Sequence, residues 1–471
     1  MKLHNRRRAV TAPLVLAAAV VGLTFGSSVA VAAPSDTATH GVVGSYTATQ
    51  PGDIAVDSVT HRAYATQYGP TETSLSVVDT NTGSQLPAVK GVVAYQSAVA
   101  VDSVLSRAYV SSSYGGAISV VDTKSGDVIK TVTLSEKNPD GTRPQISDIA
   151  VDPVTHRAYF SDYKSGYIRV LDAAAGDAVT NILIDKFATP TKLGFDNKRG
   201  FLYVADTNFM EENYGRTLWQ IDVRAGSTPK AFVRGSDIYP VELAVDDNTG
   251  YVYMTDTRTA NVWVIDATPN NDKVLEKITF SADTTANGVA VDTAAGVAYV
   301  ADVKQGQLWT VDLSNRGTAL LADTKVPEFD RVKNLAIDSS TGAIAATTNA
   351  GKVTVVAAYP TLKTAELPAA QTGKAYSQKL AVNGARAATF KVASGDLPAG
   401  LTLANDGTIS GTPTVAGSYT VEVTATSVLS RTTSVTVVVS EAPVGPVDPG
   451  NPGNPGTGSL DKLPGLGSLG R

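Results

Sequence analysis

Four aspartates stand at one position of a repeated sequence pattern, and carboxylates in such an arrangement could bind a cation. Asp162, Asp206, Asp256 and Asp302 each follow, by ten residues, an aspartate that ends a short apolar run. If the repeats lie side by side, the four carboxylates form an arc on one rim. Charges about 10 Å apart repel by roughly 0.5 to 1.5 kcal/mol, which a cation or a cationic ligand would relieve. The alternative interpretation is that each aspartate only caps its own turn.

Two long loops near this position supply further candidate ligand-binding residues. One loop runs from Thr207 to Arg216, and the other precedes the third repeat and contains Asp140. Long loops on one rim of a repeat protein mark its binding face. The candidate residues in these loops are Asn208, Glu211, Glu212, Tyr214 and Arg143.

The histidines give no sign of a catalytic centre. His61 and His156 occupy equivalent turns within the repeated sequence Val-Thr-His-Arg-Ala-Tyr, so neither is singled out as a base or a metal ligand. A catalytic triad needs a nucleophile and an acid that converge on one histidine. The chain contains no cysteine, which excludes disulfides, thiol catalysis and thiolate metal sites. We therefore predict no catalytic residue, no dedicated metal site and no cofactor, except for Ca²⁺ if the acidic arc binds it.

The elements that carry these residues come from a sevenfold repeat. An apolar tripeptide followed by aspartate recurs about every 45 to 50 residues, which is typical of a β-propeller whose blades have four strands each. The seven copies are Ile54–Asp57, Val99–Asp102, Ile149–Asp152, Leu193–Asp196, Leu243–Asp246, Val289–Asp292 and Leu335–Asp338. The sequence therefore predicts an all-β chain with a seven-bladed β-propeller over residues 33–358.

Each repeat continues with a tyrosine-containing strand, a strand that ends in a second aspartate, and a fourth strand such as Val128–Leu134. The aspartates that end strands are interpreted as turn caps. Trp219, Trp263 and Trp309 share one position in the third strand. They either pack between blades or form a stacking surface for a sugar.

The seventh repeat lacks a fourth strand of its own. Residues 40–49 resemble such a strand and precede the first blade. We expect this N-terminal strand to close the ring by pairing with the end of the seventh blade, which leaves no open sheet edge.

The repeat resembles the YVTN-type propeller repeat of bacterial and archaeal surface proteins. The resemblance covers residues 40 to about 358 and rests on Ala-Val-Asp, the tyrosine strand and Ser-Val-Val-Asp-Thr with a following glycine. The asparagine that the family usually has after the second strand is replaced at this position, for example by Gln67 and Ser112. The resemblance implies a surface or secreted binding scaffold, and it leaves the ligand open.

A second domain follows the repeats. Residues 397–425, which include Asp406-Gly407, resemble the immunoglobulin-like domain common in bacterial surface proteins. The alternation of Tyr419, Val421, Val423 and Ala425 with polar residues independently predicts a half-buried strand. We predict a small immunoglobulin-like β-sandwich over residues 361–441, acting as a spacer or an adhesive module. Residues 442–471 are rich in proline and glycine, which predicts a disordered tail.

The first 32 residues predict export. A basic start with Lys2 and Arg6–Arg8, an apolar run and the triplet Ala30-Val31-Ala32 are typical of a cleaved signal peptide. Its removal changes the formal net charge from −5 to −9. This acidic balance makes nucleic acid a poor partner, since phosphate binding requires clustered lysine and arginine. No later segment is apolar enough to predict a transmembrane helix.

These observations favour a secreted or surface-associated binding or scaffold protein. We expect a monomer whose propeller face recognises an envelope or extracellular protein or glycan. The alternative is a cation-dependent propeller hydrolase of lactonase type that uses the four aspartates of the arc. A stoichiometric, tightly held divalent cation in the purified protein would favour the hydrolase.

Overall fold

The fold consists of β-strands joined by turns. The computed structural model describes residues 40–442 except 135, 208–215, 227, 235–238, 257–260, 269–272, 281–284, 305, 315–318, 327, 363–366 and 384–387. Within these ranges no helix is long and apolar enough to cross a membrane. The predicted signal peptide and nearly all of the predicted tail lie outside the described residues.

Seven antiparallel sheets of four strands each form the blades. Blade one contains β2 (Pro51–Asp57), β3 (Arg62–Gln67), β4 (Ser74–Asp79) and β5 (Gln85–Lys90). Blade two contains β6 (Gln96–Asp102), β7 (Arg107–Ser112), β8 (Ala117–Asp122) and β9 (Val128–Thr133). Blade three contains β10 (Ile146–Asp152), β11 (Arg157–Asp162), β12 (Tyr167–Asp172) and β13 (Ala178–Leu183). Blade four contains β14 (Pro190–Asp196), β15 (Phe201–Asp206), β16 (Thr217–Asp222) and β17 (Lys230–Arg234).

Blade five contains β18 (Pro240–Asp246), β19 (Tyr251–Asp256), β20 (Asn261–Asp266) and β21 (Lys273–Thr279). Blade six contains β22 (Ala286–Asp292), β23 (Val297–Asp302), β24 (Gln307–Asp312) and β25 (Ala319–Lys325). Blade seven contains β26 (Val332–Ile337), β27 (Ile344–Thr348), β28 (Lys352–Ala358) and the N-terminal β1 (His40–Thr47). The first strand of each blade contacts the first strand of the next, and β26 contacts β2, so the seven blades form a closed ring.

The N-terminal strand is the fourth strand of blade seven. β1 pairs antiparallel with β28 from His40 opposite Ala358 to Thr47 opposite Lys352. Gly44 of β1 also lies against the turn of blade one, where a Cβ atom would come 2.4 Å from the Gly83 carbonyl oxygen. The close approach requires glycine at position 44. The start of the described chain therefore joins the first and last blades.

The blades pack through apolar clusters that span neighbouring sheets. One cluster combines Tyr253 and Val262 of blade five with Val289 and Trp309 of blade six. The repeated tyrosine of the second strand is almost completely buried in six blades, at positions 64, 109, 159, 203, 253 and 299. The Tyr64 hydroxyl donates to the Thr123 carbonyl of the next blade at 3.0 Å. β-Branched and aromatic residues thus cover both faces of each blade.

The aspartates that end the first strands cap turns, as the sequence predicted. Asp57 Oδ1 accepts the Val59 N–H at 3.0 Å, and Asp102 Oδ1 accepts the N–H groups of Val104 and Leu105 at 3.0 Å each. The aspartates that end the third strands do the same: Asp122 Oδ1 accepts the Lys124 N–H at 2.8 Å. Each carboxylate supplies the acceptor that a tight turn lacks.

The second oxygen of several cap aspartates reaches the neighbouring blade. His156 Nδ1 of blade three lies 2.8 Å from Asp102 Oδ2 of blade two. His61 Nδ1 of blade one lies 2.9 Å from Asp338 Oδ2 of blade seven. Both histidines have positive φ angles, 55° for His61 and 58° for His156. They therefore link adjacent blades.

The second compact unit is a small β-sandwich. One sheet contains β30 (Ala370–Gln371), β37 (Ser430–Ser440), β36 (Gly417–Thr426) and β33 (Thr389–Ser394), and the other contains β31 (Tyr376–Lys379), β35 (Thr408–Gly411) and β34 (Leu401–Leu403). The short β29 (Thr361–Leu362) pairs with β32 (Val382–Asn383).

The buried residues of β36 in this unit are those that the alternation of apolar and polar residues in the sequence predicts. Val421, Val423 and Ala425 of β36 are buried, together with Leu401 and Ile409 from the second sheet. Asp406 and Gly407 form the hairpin turn between β34 and β35, where Asp406 Oδ1 accepts the Thr408 N–H at 3.0 Å. The half-buried strand and this hairpin are both confirmed.

Candidate functional site

A channel enclosed by the first strands of the blades is the candidate site of the propeller. It has a volume of about 570 Å³. Apolar residues line it at the two positions before the cap aspartates of six blades, for example Ala100, Val101, Phe195 and Val245. Ligand sites of this size combine apolar walls with a few convergent polar groups.

The charged residues that line this channel lie at one position of the repeat, four residues before the cap aspartate, and polar residues such as Ser58 and Asn197 line it just after the cap aspartate. We call the seven residues four before the cap aspartates the channel ring: Asp53, Ala98, Asp148, Lys192, Glu242, Gly288 and Asn334. The strand register shifts at or beside this position in every blade. The shift is a β-bulge, which redirects a side chain at the cost of a regular ladder bond.

Hydroxyl groups of the second strands compensate for the lost ladder bonds. The Asp53 N–H donates to Thr66 Oγ1 at 2.8 Å, and the Asp148 N–H donates to Ser161 Oγ at 2.9 Å. The Glu242 N–H donates in the same way to Thr255 at 3.1 Å. The bulge is therefore a repeated and satisfied feature of the fold.

The charged members of the channel ring lie within contact distance across blades three to five. Lys192 Nζ lies 2.8 Å from Glu242 Oε2 and 4.0 Å from Asp148 Oδ1. Asp148 Oδ2 accepts the Leu193 N–H of the next blade at 2.8 Å. These side chains are largely but not fully buried, with exposed fractions of 22% for Lys192, 8% for Asp148 and 11% for Glu242.

Asp53 completes the ring from blade one. Its Oδ2 accepts the Val99 N–H of blade two at 2.8 Å, and its Oδ1 accepts a hydrogen bond from the Asn334 side chain of blade seven. Each ring carboxylate thus contacts a blade other than its own. The ring therefore places charge in the channel and also links the blades.

Burial perturbs the protonation of the ring carboxylates. Burial raises the pKa of Glu242 to about 7 and that of Asp53 to about 6, although Lys192 partly opposes both shifts. Burial also raises the pKa of Asp148. Burial alone would lower the pKa of Lys192, but attraction to Asp148, Glu242 and Asp53 outweighs it and raises that pKa. One ammonium group faces three buried carboxylates, and repulsion from Asp148 adds to the raised pKa values of Asp53 and Glu242.

The four aspartates of the proposed acidic arc do not offer carboxylates to solvent. Asp162, Asp256 and Asp302 are 0% exposed and Asp206 is 6% exposed. Each accepts an N–H from the loop before its blade: Asp162 from Gln145 at 3.1 Å, Asp206 from Thr189 at 2.8 Å, Asp256 from Tyr239 at 3.3 Å and Asp302 from Thr285 at 3.1 Å. These residues tie loops to strand ends, as the capping interpretation expects, and ligand binding by the acidic arc stays a prediction.

The third strands supply further partners for these aspartates. Trp219 and Trp263 donate their indole N–H groups to Asp206 and Asp256, each at 3.3 Å. In blade three the buried Arg169 takes this place, with Nη2 3.0 Å from Asp162 Oδ2. The two tryptophans are 7% exposed. They pack between blades, and burial leaves no exposed stacking surface for a sugar at these positions.

The structure describes only one of the remaining candidates that the sequence predicted, Arg143. Arg143 is exposed in the loop before blade three. Asn208, Glu211, Glu212 and Tyr214 lie outside the described residues, and their binding role stays a prediction. Within the described ranges no three or more His, Asp or Glu side chains form a group that could hold a metal ion. Ca²⁺ binding also stays a prediction.

The channel ring was missed at the sequence level although its signal is present there. Aligning the repeats on the cap aspartate puts Asp, Ala, Asp, Lys, Glu, Gly and Asn at one position of otherwise apolar strands. A charged residue in such a strand is unfavourable unless it faces a cavity or a partner. The bulge hides this signal, because it interrupts the alternation of residues from which one infers the side of the strand on which each side chain lies.

Comparison with known proteins supports the architecture. Residues 359–440 match the family described as Putative Ig domain. Hydrazine synthase of Kuenenia stuttgartiensis is a structural neighbour with 16% identity and a TM-score of 0.54, covering 65% of this chain and 95% of that chain. The β-propeller domain of Cps50 (Swd1) from Myceliophteria thermophila has 10% identity and a TM-score of 0.52, covering 67% and 99%. No curated protein matches the chain.

At these identities the two structures show the fold alone. The chain is an all-β protein with a seven-bladed β-propeller followed by an immunoglobulin-like domain.

Proposed function

We propose that this protein is a non-enzymatic binding protein of the cell envelope or the extracellular space, and that its propeller channel takes a cationic group of a protein or glycan partner. The channel ring carries this proposal. Three carboxylates share one lysine in a largely buried channel, and a ligand ammonium or guanidinium group would supply the missing positive charge.

The rim around the cap turns supports contact with a partner. Val59, Val104 and Val154 occupy the same turn position in blades one to three and are 65%, 67% and 63% exposed. Val104 also lines the channel. Apolar residues beside a charged cavity fit a partner that surrounds a basic group with apolar surface.

The proposal is tested by calorimetric titration of the full mature chain with matched probes. Butylamine, agmatine and glucosamine carry a cationic group, and butanol and glucose are neutral controls. We expect the cationic probes to bind, and we expect Glu242→Gln and Asp148→Asn to lower their affinity about tenfold each. Asp330→Asn, at a carboxylate 54% exposed elsewhere on the surface, should have no effect. Equal binding of neutral probes, or unchanged affinity of the ring variants, would contradict the proposal.

A hydrolase remains the second candidate, since the raised pKa of Glu242, about 7, suits a general base. Lactone and ester substrates should be tested with and without divalent cations and a chelator. Turnover that Glu242→Gln abolishes would favour the enzyme over the binding protein.

The extracytoplasmic location is proposed from residues 1–32 and from the surface-protein resemblance of both domains. N-terminal sequencing of protein from the culture medium and envelope fractions tests it. We expect a mature chain that starts near Ala33, whereas an intact leader in the cytoplasmic fraction would contradict export.

A further inference from the structure

Four tyrosines cluster on the rim opposite the cap turns, in blades one to three. Tyr68 follows β3, Tyr95 precedes β6, Tyr114 follows β7 and Tyr163 follows β11. The ring centroids of Tyr68 and Tyr95 are 5.8 Å apart at 67°, and those of Tyr95 and Tyr114 are 5.3 Å apart at 81°. We call these residues the tyrosine cluster. Such edge-to-face contacts are favourable and hold the rings in fixed directions.

The backbone that carries the cluster is also held in place. The Tyr95 N–H donates to the Gly69 carbonyl at 3.0 Å, and the Tyr95 carbonyl accepts the Ser113 N–H at 2.8 Å. Tyr95 has a φ of 53°, a conformation that few non-glycine residues adopt. The Tyr163 hydroxyl donates to Gln145 Oε1 at 2.5 Å. The cluster is therefore preorganised.

Fold stability does not account for these tyrosines. The repeated tyrosines, such as Tyr64 and Tyr109, are at most 4% exposed, whereas Tyr68 is 40% exposed and Tyr114 is 53% exposed. The Tyr114 hydroxyl raises the pKa of Tyr68, as expected for hydroxyls that meet at the surface. Rigid, exposed aromatic rings grouped across three blades are typical of a recognition surface.

The chain itself contains a segment with matching chemistry. Prolines stand at every third position beyond the sandwich, at 443, 446, 449, 452 and 455. A polyproline II helix has three residues per turn, so these prolines would lie along one face. Proline-rich segments in this conformation dock between exposed aromatic rings.

The charges near the cluster complement this segment. Lys164 Nζ lies 5.5 Å from the centre of the Tyr163 ring, and Arg143 is exposed in the loop that also carries Gln145. Asp140 of the same loop interacts with Lys164, Asp162 interacts with Tyr163, and Glu72 lies against Gly69 beside Tyr68. The proline segment carries Asp448 within the run and Glu441 just before it. Opposite charges at the edge of an aromatic surface fix the orientation of a bound peptide.

We propose that the tyrosine cluster is a binding site for the proline-rich segment 443–455 of this chain. The prolines contact the rings of Tyr68, Tyr95 and Tyr114, and Asp448 faces Lys164 and Arg143. This site lies on the rim opposite the cap turns and does not depend on the function proposed for the channel.

The test uses the full chain with its five segment prolines replaced by alanine, so that its own segment does not compete. A synthetic peptide spanning residues 441–457 is titrated into it by calorimetry. We expect saturable binding, and at least tenfold weaker binding after Tyr68→Ala or Tyr114→Ala. A peptide with alanine at the five proline positions should not bind. Asp448→Asn in the peptide should weaken binding a few-fold at low salt.

Ile129→Ala, at an apolar residue 47% exposed on the outer strand β9, is the control and should bind the peptide normally. Because Tyr68 and Tyr114 are exposed, their variants should keep the melting temperature of the parent, which separates loss of the site from loss of the fold. The proposal is overturned if the peptide does not bind at millimolar concentration, or if the tyrosine variants bind it as well as the parent does. Binding of an envelope polysaccharide that the tyrosine variants lose, without peptide binding, would assign the cluster to another ligand.

Discussion

At the residue scale, the cap aspartate of the repeat makes two kinds of contact, and only one of them can be predicted from the sequence. The turn-capping oxygen contacts N–H groups two or three residues ahead, as at Asp102, so local sequence predicts it. The other oxygen of Asp338 accepts the Thr80 hydroxyl at 2.6 Å and lies 2.9 Å from His61. These partners come from the first blade, far away in sequence, and only ring closure brings them together.

The Asp338 contacts lead to a prediction about stability. Burial alone would raise the pKa of Asp338, but hydrogen bonds from Ser340, Thr80 and His61 outweigh it and lower that pKa. A carboxyl with a lowered folded-state pKa stabilises the fold above its unfolded pKa, about 4, and this contribution is lost as the pH falls further. We expect Asp338→Asn to destabilise the protein by about 1 to 3 kcal/mol at pH 7 and by less at pH 3.

Asp57→Asn is the matched control, since Asp57 caps the equivalent turn but its Oδ2 has no hydrogen-bond partner among the described residues. Asparagine keeps the capping oxygen, so this change should cost little. Chemical denaturation at both pH values measures the effect. Equal losses for the two variants would show that the contacts between blades seven and one add nothing.

At the element scale, the strands were predictable because each blade repeats the same pattern of apolar runs and turn residues. The third strands, for example, end at Asp79, Asp122 and Asp172 as the sequence indicated. The first strands were only half predictable. Their bulges shift the register by a residue, and a period-two pattern cannot show which way the side chains at Asp148 or Glu242 then point.

The closing strand gives the prediction at this scale. Deleting residues 33–50 removes β1, exposes the edge of β28 and uncovers the apolar cluster that includes Val42. We expect the melting temperature to fall by roughly 10 °C or more. Deleting residues 442–471 removes none of the strands that the structure describes and should change the melting temperature little. Calorimetry of both truncations decides the matter, and equal melting temperatures would refute the role of β1 in closing the ring.

At the scale of the whole molecule, seven similar blades build a channel that is not symmetric. The fold repeats the position of the channel ring seven times, but charge enters only from blades one, three, four and five, while blades two and six contribute Ala98 and Gly288. Repetition made the propeller predictable. The site depends on how the repeats differ at one position. Only the closed ring brings Asp53, Asp148, Lys192 and Glu242 close enough to interact.

The assembled channel predicts that cation binding is linked to proton release. Because the pKa values of Asp53 and Glu242 are raised to about 6 and 7, these groups are mostly protonated at pH 5 and ionised at pH 8. A bound cation favours the ionised carboxylates, so affinity should rise with pH over this range, by up to about tenfold per pH unit for each proton released. Lys192, with its raised pKa, stays charged throughout and adds no pH dependence. Titrating agmatine in two buffers of different ionisation enthalpy measures the released protons, and Glu242→Gln should flatten the profile. An affinity that is constant from pH 5 to pH 8 would place the cation elsewhere than the ring.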